Sequence, residues 1–320
     1  MNAASHLRTS GPAGPFGPGR TRRDHRFMNA HDVFTVSTAT LDDWYQVAEW
    51  ADQEGWNVGD GDVACFHPTD PAGFFIGRLG ARPVAAVSIV NYDDRYAVLG
   101  HYLTDPEFRG RGYGLATWKA AFPHSGNRTV GLDAMPAQQA NYEASGFKAV
   151  HDTVHFAGIP ARPARPGGLG GLGGLVEGVA PVTPEHTEAL AVYDRHCFPA
   201  DRSGFVARWL TAPGRTARVR LRDGAVAGYG VIRPAGRGHR IGPLFADTPE
   251  DAAALFDGLV EHLGPGEEVS LDIPGTHAAS EDLLTSRGLA AQFHTVRMYT
   301  GPVPETTEER VFAITTLELG

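Results

Sequence analysis

The sequence predicts an α/β protein of two similar domains in tandem, each a mixed, mostly antiparallel twisted sheet flanked by helices. Three observations carry that reading. Helix-like and strand-like runs alternate through most of the 320 residues, which is the pattern of mixed α/β folds. The two halves share residues in the same order at a nearly constant offset of 142, as between Arg78 and Arg220. A Gly/Pro-rich stretch at 158–178 lies between the halves and has the composition of a linker. The expected organisation is an N-terminal extension at 1–29, a first domain at 30–157, the linker at 158–178 and a second, degenerate domain at 179–320.

Residues 1–27 are rich in Gly, Pro, Arg and Ser and have no apolar run of the secretory-signal kind. No ordered structure is expected there, and Met28 stands as an alternative start. The first element is a helix at Thr40–Gln53. Strands follow at Phe74–Leu79 and Val84–Asn91, joined through Gly80-Ala81-Arg82-Pro83. A third strand, Tyr96–Thr104, runs into a glycine-rich loop. A helix at Leu115–Phe122, a strand at Thr129–Asp133, a helix at Gln138–Ala144 and a strand at Val150–Phe156 complete the half.

The second half repeats this plan. Arg220-Leu221 matches Arg78-Leu79, and Val226-Ala227 matches Val84-Ala85 around the turn Arg222-Asp223-Gly224-Ala225. Gly242 matches Gly100 and Asp247 matches Asp105. Leu271-Asp272 matches Leu132-Asp133 with a three-residue gap, and Gly288-Leu289 matches Gly146-Phe147 at the full offset. One shared order at one offset points to duplication of a domain.

Bulk properties narrow the functional classes. A hydrophobic fraction of 42% suits a globular chain of two domains. The net charge of -9 argues against nucleic-acid and anionic-membrane partners, which need a cationic face. No apolar run approaches a membrane span. Cys65 and Cys197 have no metal or redox spacing, so they read as free thiols of a reducing compartment, and a cytoplasmic location is expected. His151 and His155 stand at strand spacing without a cysteine set, so no metal is assigned. Arg233, His239 and Arg240 read either as a solvated cationic face or as a set that meets an acidic group of the substrate.

The most specific stretch is Asp105-Pro106-Glu107-Phe108-Arg109-Gly110-Arg111-Gly112-Tyr113-Gly114-Leu115-Ala116, between a strand and a helix start. Glycine lets backbone approach a ligand closely, and the first amides of a helix have no intrahelical partner. Such a place suits a phosphate. Its spacing, Arg-x-x-Gly-x-Gly, differs from the dinucleotide and P-loop fingerprints. At the offset of 142 the loop falls on Asp251–Phe256, with no glycine, no arginine and one carboxylate. The first domain is therefore expected to bind the ligand, and the second to keep the fold without that site.

The loop, together with Tyr142-Glu143-Ala144-Ser145-Gly146-Phe147, resembles the GCN5-related N-acetyltransferases (GNAT). From about Met28 onward the chain is similar to tandem-domain members of the YitH/HolE type. In the second half that likeness rests on Asp201-Arg202, Arg240–Leu244, Leu271–Pro274, Arg297-Met298-Tyr299 and the closing run Ala313–Gly320. The resemblance implies acetyl-CoA as cosubstrate, and transfer of its acetyl group to the primary amine of a small-molecule acceptor by direct attack in a ternary complex. It implies that backbone groups of Leu103 and Thr104 pair with the pantetheine arm. The amides of Arg109, Gly110, Arg111, Gly112, Tyr113 and Gly114 would face the pyrophosphate, and Tyr142 would protonate the leaving thiolate. Two departures stand out: Met135 takes a position where many members have Asn, and no Glu stands in the strand before the loop, where some members place a base. A non-enzymatic acyl-CoA sensor or scaffold, and transfer of a longer acyl chain, are the alternatives.

Four further positions complete the candidate site. His101 and Tyr102 point to opposite faces of their strand. His101 is either a proton acceptor for the incoming ammonium or a structural residue. Asp133 either binds a cationic substrate or caps the following turn. Trp56 and Asn57, with Asp60, Asp62, Phe66 and His67, lie where the resemblance puts one wall of the acceptor site. Aromatics and carboxylates there suit an amine, and a half-buried loop is the other reading.

Overall fold

The computed structural model describes residues 33–161 and 177–320; the expected N-terminal extension and most of the linker lie outside the described residues. The first lobe opens with strand β1 (Phe34–Thr38) and helix α1 (Leu41–Gln53). Thr40 and Asp43 form a reciprocal capping box that starts α1, and the helix buries Trp44, Val47 and Ala51 along one stripe. Helix α2 (Asp62–Phe66), the hairpin β2 (Phe74–Leu79) and β3 (Arg82–Asn91), and β4 (Tyr96–Thr104) follow. Then come α3 (Tyr113–Ala121), β5 (Thr129–Ala134), α4 (Gln139–Ala144) and β6 (Lys148–Gly158). The second lobe has β7 (Val179–Pro181), α5 (Thr187–Cys197), α6 (Ser203–Thr211), β8 (Thr216–Arg222), β9 (Ala225–Pro234) and β10 (His239–Ala246). It closes with α7 (Pro249–Val260), β11 (Val269–Pro274), α8 (Ala278–Ser286), β12 (Ala290–Tyr299) and β13 (Val311–Ala313).

All the expected first-half elements are present within a few residues. Strands β1, β7 and β13 and a second helix before each hairpin, α2 and α6, are additions. The larger surprise is how the lobes join. The described strands form one thirteen-stranded sheet, ordered β1-β2-β3-β4-β5-β12-β6-β11-β10-β9-β8-β7, with β13 on β10. Each lobe gives its last long strand to the other: β12 pairs with β5, and β6 pairs with β11. Dividing the chain at the linker therefore does not separate two complete sheets.

The exchange is symmetric. Strands β6 and β12 run antiparallel, and Thr153 faces Thr295, its own counterpart 142 residues on. A pseudo-twofold axis passes through that pair. Around it, Asp133 sits opposite Arg297 and Asp272 sits opposite His155. The first pair is an ion pair at 2.6 Å and the second a hydrogen-bonded pair at 2.7 Å. Thus the repeat seen in the sequence reappears as a local symmetry of the central strands.

Helices cover both faces. On the back, Trp118 of α3 and Tyr142 of α4 pack with Val296 and Met298 of β12. Leu255 and Leu259 of α7 pack with Leu283 of α8 in the second lobe. On the front, α1, α2, α5 and α6 share one core. Phe66 stacks on Trp209 there, centroids 5.8 Å apart, so apolar burial ties the lobes together.

Candidate active site

Strands β4 and β5 run parallel but pair only from Tyr96 to Val98, against Thr129 to Gly131. Beyond Val98 they splay, and the β5-side edge of β4 carries no strand among the described residues. The glycine loop closes the back of this cleft. Gly110 and Gly112 both take left-handed backbone, with φ of +73° and +86°, and a Cβ on either would project into open space. Gly112 is the N-cap of α3, without a side-chain cap. Among the described residues, the amides of Gly110 through Leu115 donate to no protein acceptor. Gly114 lets α3 approach β4: a Cβ there would lie 2.5 Å from Thr104 Oγ1. That hydroxyl is buried and, among the described residues, has no partner of its own.

Arg109 differs from the expectation. Its amide donates to the Pro106 carbonyl at 3.4 Å. Its guanidinium bonds the Thr104 carbonyl at 3.0 Å and pairs with Glu54 at the end of α1. Arg109 is thus the brace of the loop, and both its own amide and the Thr104 carbonyl are taken. The sequence reasoning missed Glu54, whose partner lies 55 residues away.

The second lobe repeats the splay and fills it. Strands β10 and β11 pair only at His239 and Arg240 with Val269 and Ser270. Beyond that, β13 lies along β10, with Leu244 opposite Ala313 and Phe245 opposite Val311. Leu244 and Phe245 are the counterparts of Tyr102 and Leu103. Ile314 then donates its amide to the Asp272 carbonyl at 2.9 Å, joining β11 as well. At the start of α7 the Thr248 side chain caps the Asp251 amide, and the Asp251 carboxylate pairs with Arg220 and Arg222. This helix start is already capped and anionic, unlike that of α3.

Strand β4 places His101 and Tyr102 on opposite faces, as expected, but through a bulge that sets both against Val87. His101 takes φ of +46°, a conformation rare outside glycine that concentrates at functional sites. Its ring is 1% exposed among Trp44, Phe66 and Trp56, at centroid distances of 5.3, 6.0 and 6.2 Å. Among the described residues neither ring nitrogen has a partner. Burial drives its pKa down to about 4, against a small opposing pull from Asp62. It is therefore neutral at physiological pH and a weak proton acceptor, which of its two readings supports the structural residue over the base.

Tyr142 lies on α4 against Trp118 and Phe147, with centroids 5.7 and 6.0 Å away. Burial pushes its phenol, and that of Tyr102 beside it, well above the ordinary range. Both stay protonated and able to donate.

Three expectations are corrected. Asp133 neither caps a turn nor faces a ligand: its carboxylate binds Arg297 at 2.6 Å and accepts from Thr153 at 2.8 Å. Asn57 is a strut between lobes, its amide side chain pairing with the backbone of Arg237 in both directions at 3.1 and 2.7 Å. Arg233 and Arg240 are not a solvated face, at 1% and 2% exposure. Arg233 grips Asp62 with two bonds, at 2.7 and 2.9 Å, and Arg240 reaches Asp272 at 2.6 Å. Burial resists ionisation of Asp272, but Arg240 and His155 outweigh it and hold the carboxyl at about 2. Trp56 remains at the site, its half-buried ring near His101 and its carbonyl accepting from Arg240 at 3.3 Å. Both cysteines are free and buried, with thiol pKa values raised by burial, so neither offers a thiolate. Among the described residues no group of His, Cys, Asp and Glu has the arrangement of a metal site, and no helix is long and apolar enough to cross a membrane.

Comparison with known proteins agrees with this geometry. Residues 41–147 match the acetyltransferase (GNAT) family, and residues 190–313 match an acetyltransferase (GNAT) domain. The chain is 33% identical over 296 residues to the holothin acyltransferase of Pseudoalteromonas sp. (strain SANK 73390), covering 92% of this chain and 98% of that one. A putative acetyltransferase from Pyrococcus horikoshii superposes with a TM-score of 0.73 at 20% identity, over 94% of this chain and 100% of that one. A tandem GNAT protein from the clavulanic acid biosynthesis pathway superposes with a TM-score of 0.58 at 16% identity, over 85% of this chain and 100% of that one.

Proposed function

Because the chain belongs to the GCN5-related N-acetyltransferase (GNAT) family, as a tandem-domain acyltransferase, we propose that its first lobe transfers an acetyl group from acetyl-CoA to the primary amine of a small acceptor. Holothin, named by the relative that matches along nearly its whole length, is the first acceptor to try. The observation that carries the reading is the contrast between the two clefts. The second lobe fills its cleft with β13 and caps its helix start, whereas the first, among the described residues, keeps an unpaired edge on β4 and free amides from Gly110 to Leu115.

The first lobe's groups fit acyl-CoA. The amides of Gly110 to Leu115 and the positive end of α3 would hold the pyrophosphate. The edge of β4 at Leu103 would take the amide-bearing arm, with the Thr104 hydroxyl as a further partner. The thioester supplies the acyl carbon. The amine attacks it directly, so no residue need carry the acyl group. Tyr142 donates its proton to the departing sulfur, and the neutral imidazole of His101 gives the acceptor a hydrogen-bond partner between aromatic walls.

The test is to follow release of the CoA thiol with acetyl-CoA and holothin, and then with a panel of primary amines. Wild type should form the amide. Tyr142→Phe should lower kcat by about 10²-fold while acetyl-CoA binding holds, since general acids contribute on that scale. Binding of acetyl-CoA without turnover on any amine would leave an acyl-CoA sensor, and no binding would end the reading.

A further inference from the structure

Resting on the transferase reading, we propose that the C-terminal tail supplies the proton acceptor of the reaction, the Glu318 carboxylate. After β13 the chain crosses the front of the sheet from the second cleft to the first. The Thr315 carbonyl lies over Gly242, where a Cβ would meet it at 2.2 Å. The Glu318 carbonyl lies over Gly100, where a Cβ would meet it at 2.0 Å. Gly100 and Gly242 are counterparts in the repeat, so one segment touches the same position in both lobes. That close passage is the physical reason for a glycine in each. The tail is clamped there. Tyr92 donates to the Leu319 carbonyl at 2.8 Å, and Arg202 donates to Thr315 Oγ1 at 2.8 Å and to the Gly320 carbonyl at 3.2 Å.

This route sets Glu318 on the front of β4 where β4 has just parted from β5, next in space to Gly100 and hence to His101. Strand β4 has no carboxylate of its own between Tyr96 and Thr104. Glu318 is 4% exposed, and its nearest cation is Arg240, at 3.9 Å, beyond hydrogen-bond reach. Arg240 spends its short contact on Asp272. The tail thus brings a buried carboxylate with a distant counterion to the strand that carries a buried imidazole whose nitrogens, among the described residues, have no partner. The charged groups facing Glu318 are Arg240 from β10, Asp272 from β11 and Asp62 from α2. Burial raises its pKa; Arg240 and a hydrogen bond from its own amide oppose this, and Asp272 and Asp62 add to the rise. The balance makes Glu318 a better proton acceptor than an ordinary carboxylate.

The step balances as follows. The acceptor ammonium gives one proton to Glu318, and the freed amine bonds to the acyl carbon. The C–S bond breaks, and the sulfur takes a proton from Tyr142. The nitrogen's surplus proton passes through solvent to restore Tyr142, and Glu318 releases its own to bulk water.

Glu318→Gln tests this, since it keeps the shape and removes the basic oxygen. Amide formation should fall at least about 10²-fold in kcat, with the KM for acetyl-CoA unchanged and the acid limb of the kcat/KM profile flattened. Melting gives a second readout. With a native pKa above the unfolded value, wild type binds more protons when folded and loses stability as pH rises through that native pKa. Glu318→Gln should then melt at or above wild type at pH values above it, with the advantage closing towards acid. Wild-type kcat and pH profile in the variant would overturn the proposal and leave the transferase reading intact. So would a variant that melts below wild type at every pH, because Glu318 would then be a structural partner of Arg240. A wild type that acylates no amine would overturn both.

Discussion

Asp62→Ala is expected to destabilise the protein by about 3–5 kcal/mol, the scale on which a buried ion pair is missed when one partner goes. Asp62 is 1% exposed and starts α2 in the first lobe. Its two oxygens hold Arg233 of β9, and one also takes Arg215 at 2.8 Å, both from the second lobe. Those guanidinium groups lie over Trp209, at 3.7 Å for Arg215 and 4.6 Å for Arg233. Each has a fully buried side chain. Without Asp62 two cations stay in an apolar, aromatic setting with no anion and too few acceptors. The aromatic faces return only part of what is lost. Urea unfolding would measure it, and Asp62→Asn, which keeps two polar atoms, should fall between wild type and Ala. A loss below 1 kcal/mol for Ala would mean that water reaches this cluster.

The second large effect is on binding. Gly112→Glu should weaken acetyl-CoA by at least about 100-fold, or 2.7 kcal/mol. Two causes act together. Left-handed backbone costs an L-residue roughly 1–2 kcal/mol, and the new side chain starts in the space that the free amides face. Its carboxylate would take the amides that a phosphate needs and repel the phosphate itself. At a ligand concentration of 100 Kd the wild type gains about 2.7 kcal/mol of stability, so the melting shift with acetyl-CoA should vanish in the variant. Gly112→Ala separates the causes, since it keeps the strain and adds no charge. An undiminished shift in Gly112→Glu would place the ligand elsewhere.

What was legible in the sequence was what is local or repeated. The loop from Arg109 to Gly114 is one turn whose glycines are needed where they stand, and the structure gives Gly110 and Gly112 the left-handed backbone that only glycine adopts easily. The offset of 142 was visible because duplication leaves the same residues in the same order. The exchange of β6 and β12 was not, because side-chain alternation tells which face of a strand is buried and not which strand lies beside it. The charged residues misled for a related reason. Arg233 reads as surface until Asp62, 171 positions earlier, is folded against it. Asp133 reads as a turn cap or a substrate ligand until Arg297 arrives from the other half. His101 carries no sign in the sequence of the aromatic cage that lowers its pKa. Glu318 lay in the closing run that marked the family resemblance, but its route back over Gly100 had no local signal.

The exchanged strands also set the order in which the molecule is completed as it leaves the ribosome. The first lobe has its own β1 to β5, but the strand that seals β5 begins only at Ala290. From the end of β6 at Gly158 to that point, the ribosome needs roughly 7 to 26 s at synthesis rates of about 5–20 residues per second. Throughout that interval β5 has an open edge, and β6 waits for β11. The nascent first half is thus an unfinished sheet offering hydrogen bonds to any passing strand, its neighbour on the polysome included. The lobe with the open cleft must wait for the lobe with the filled one, which gives the second lobe a duty independent of its own cleft.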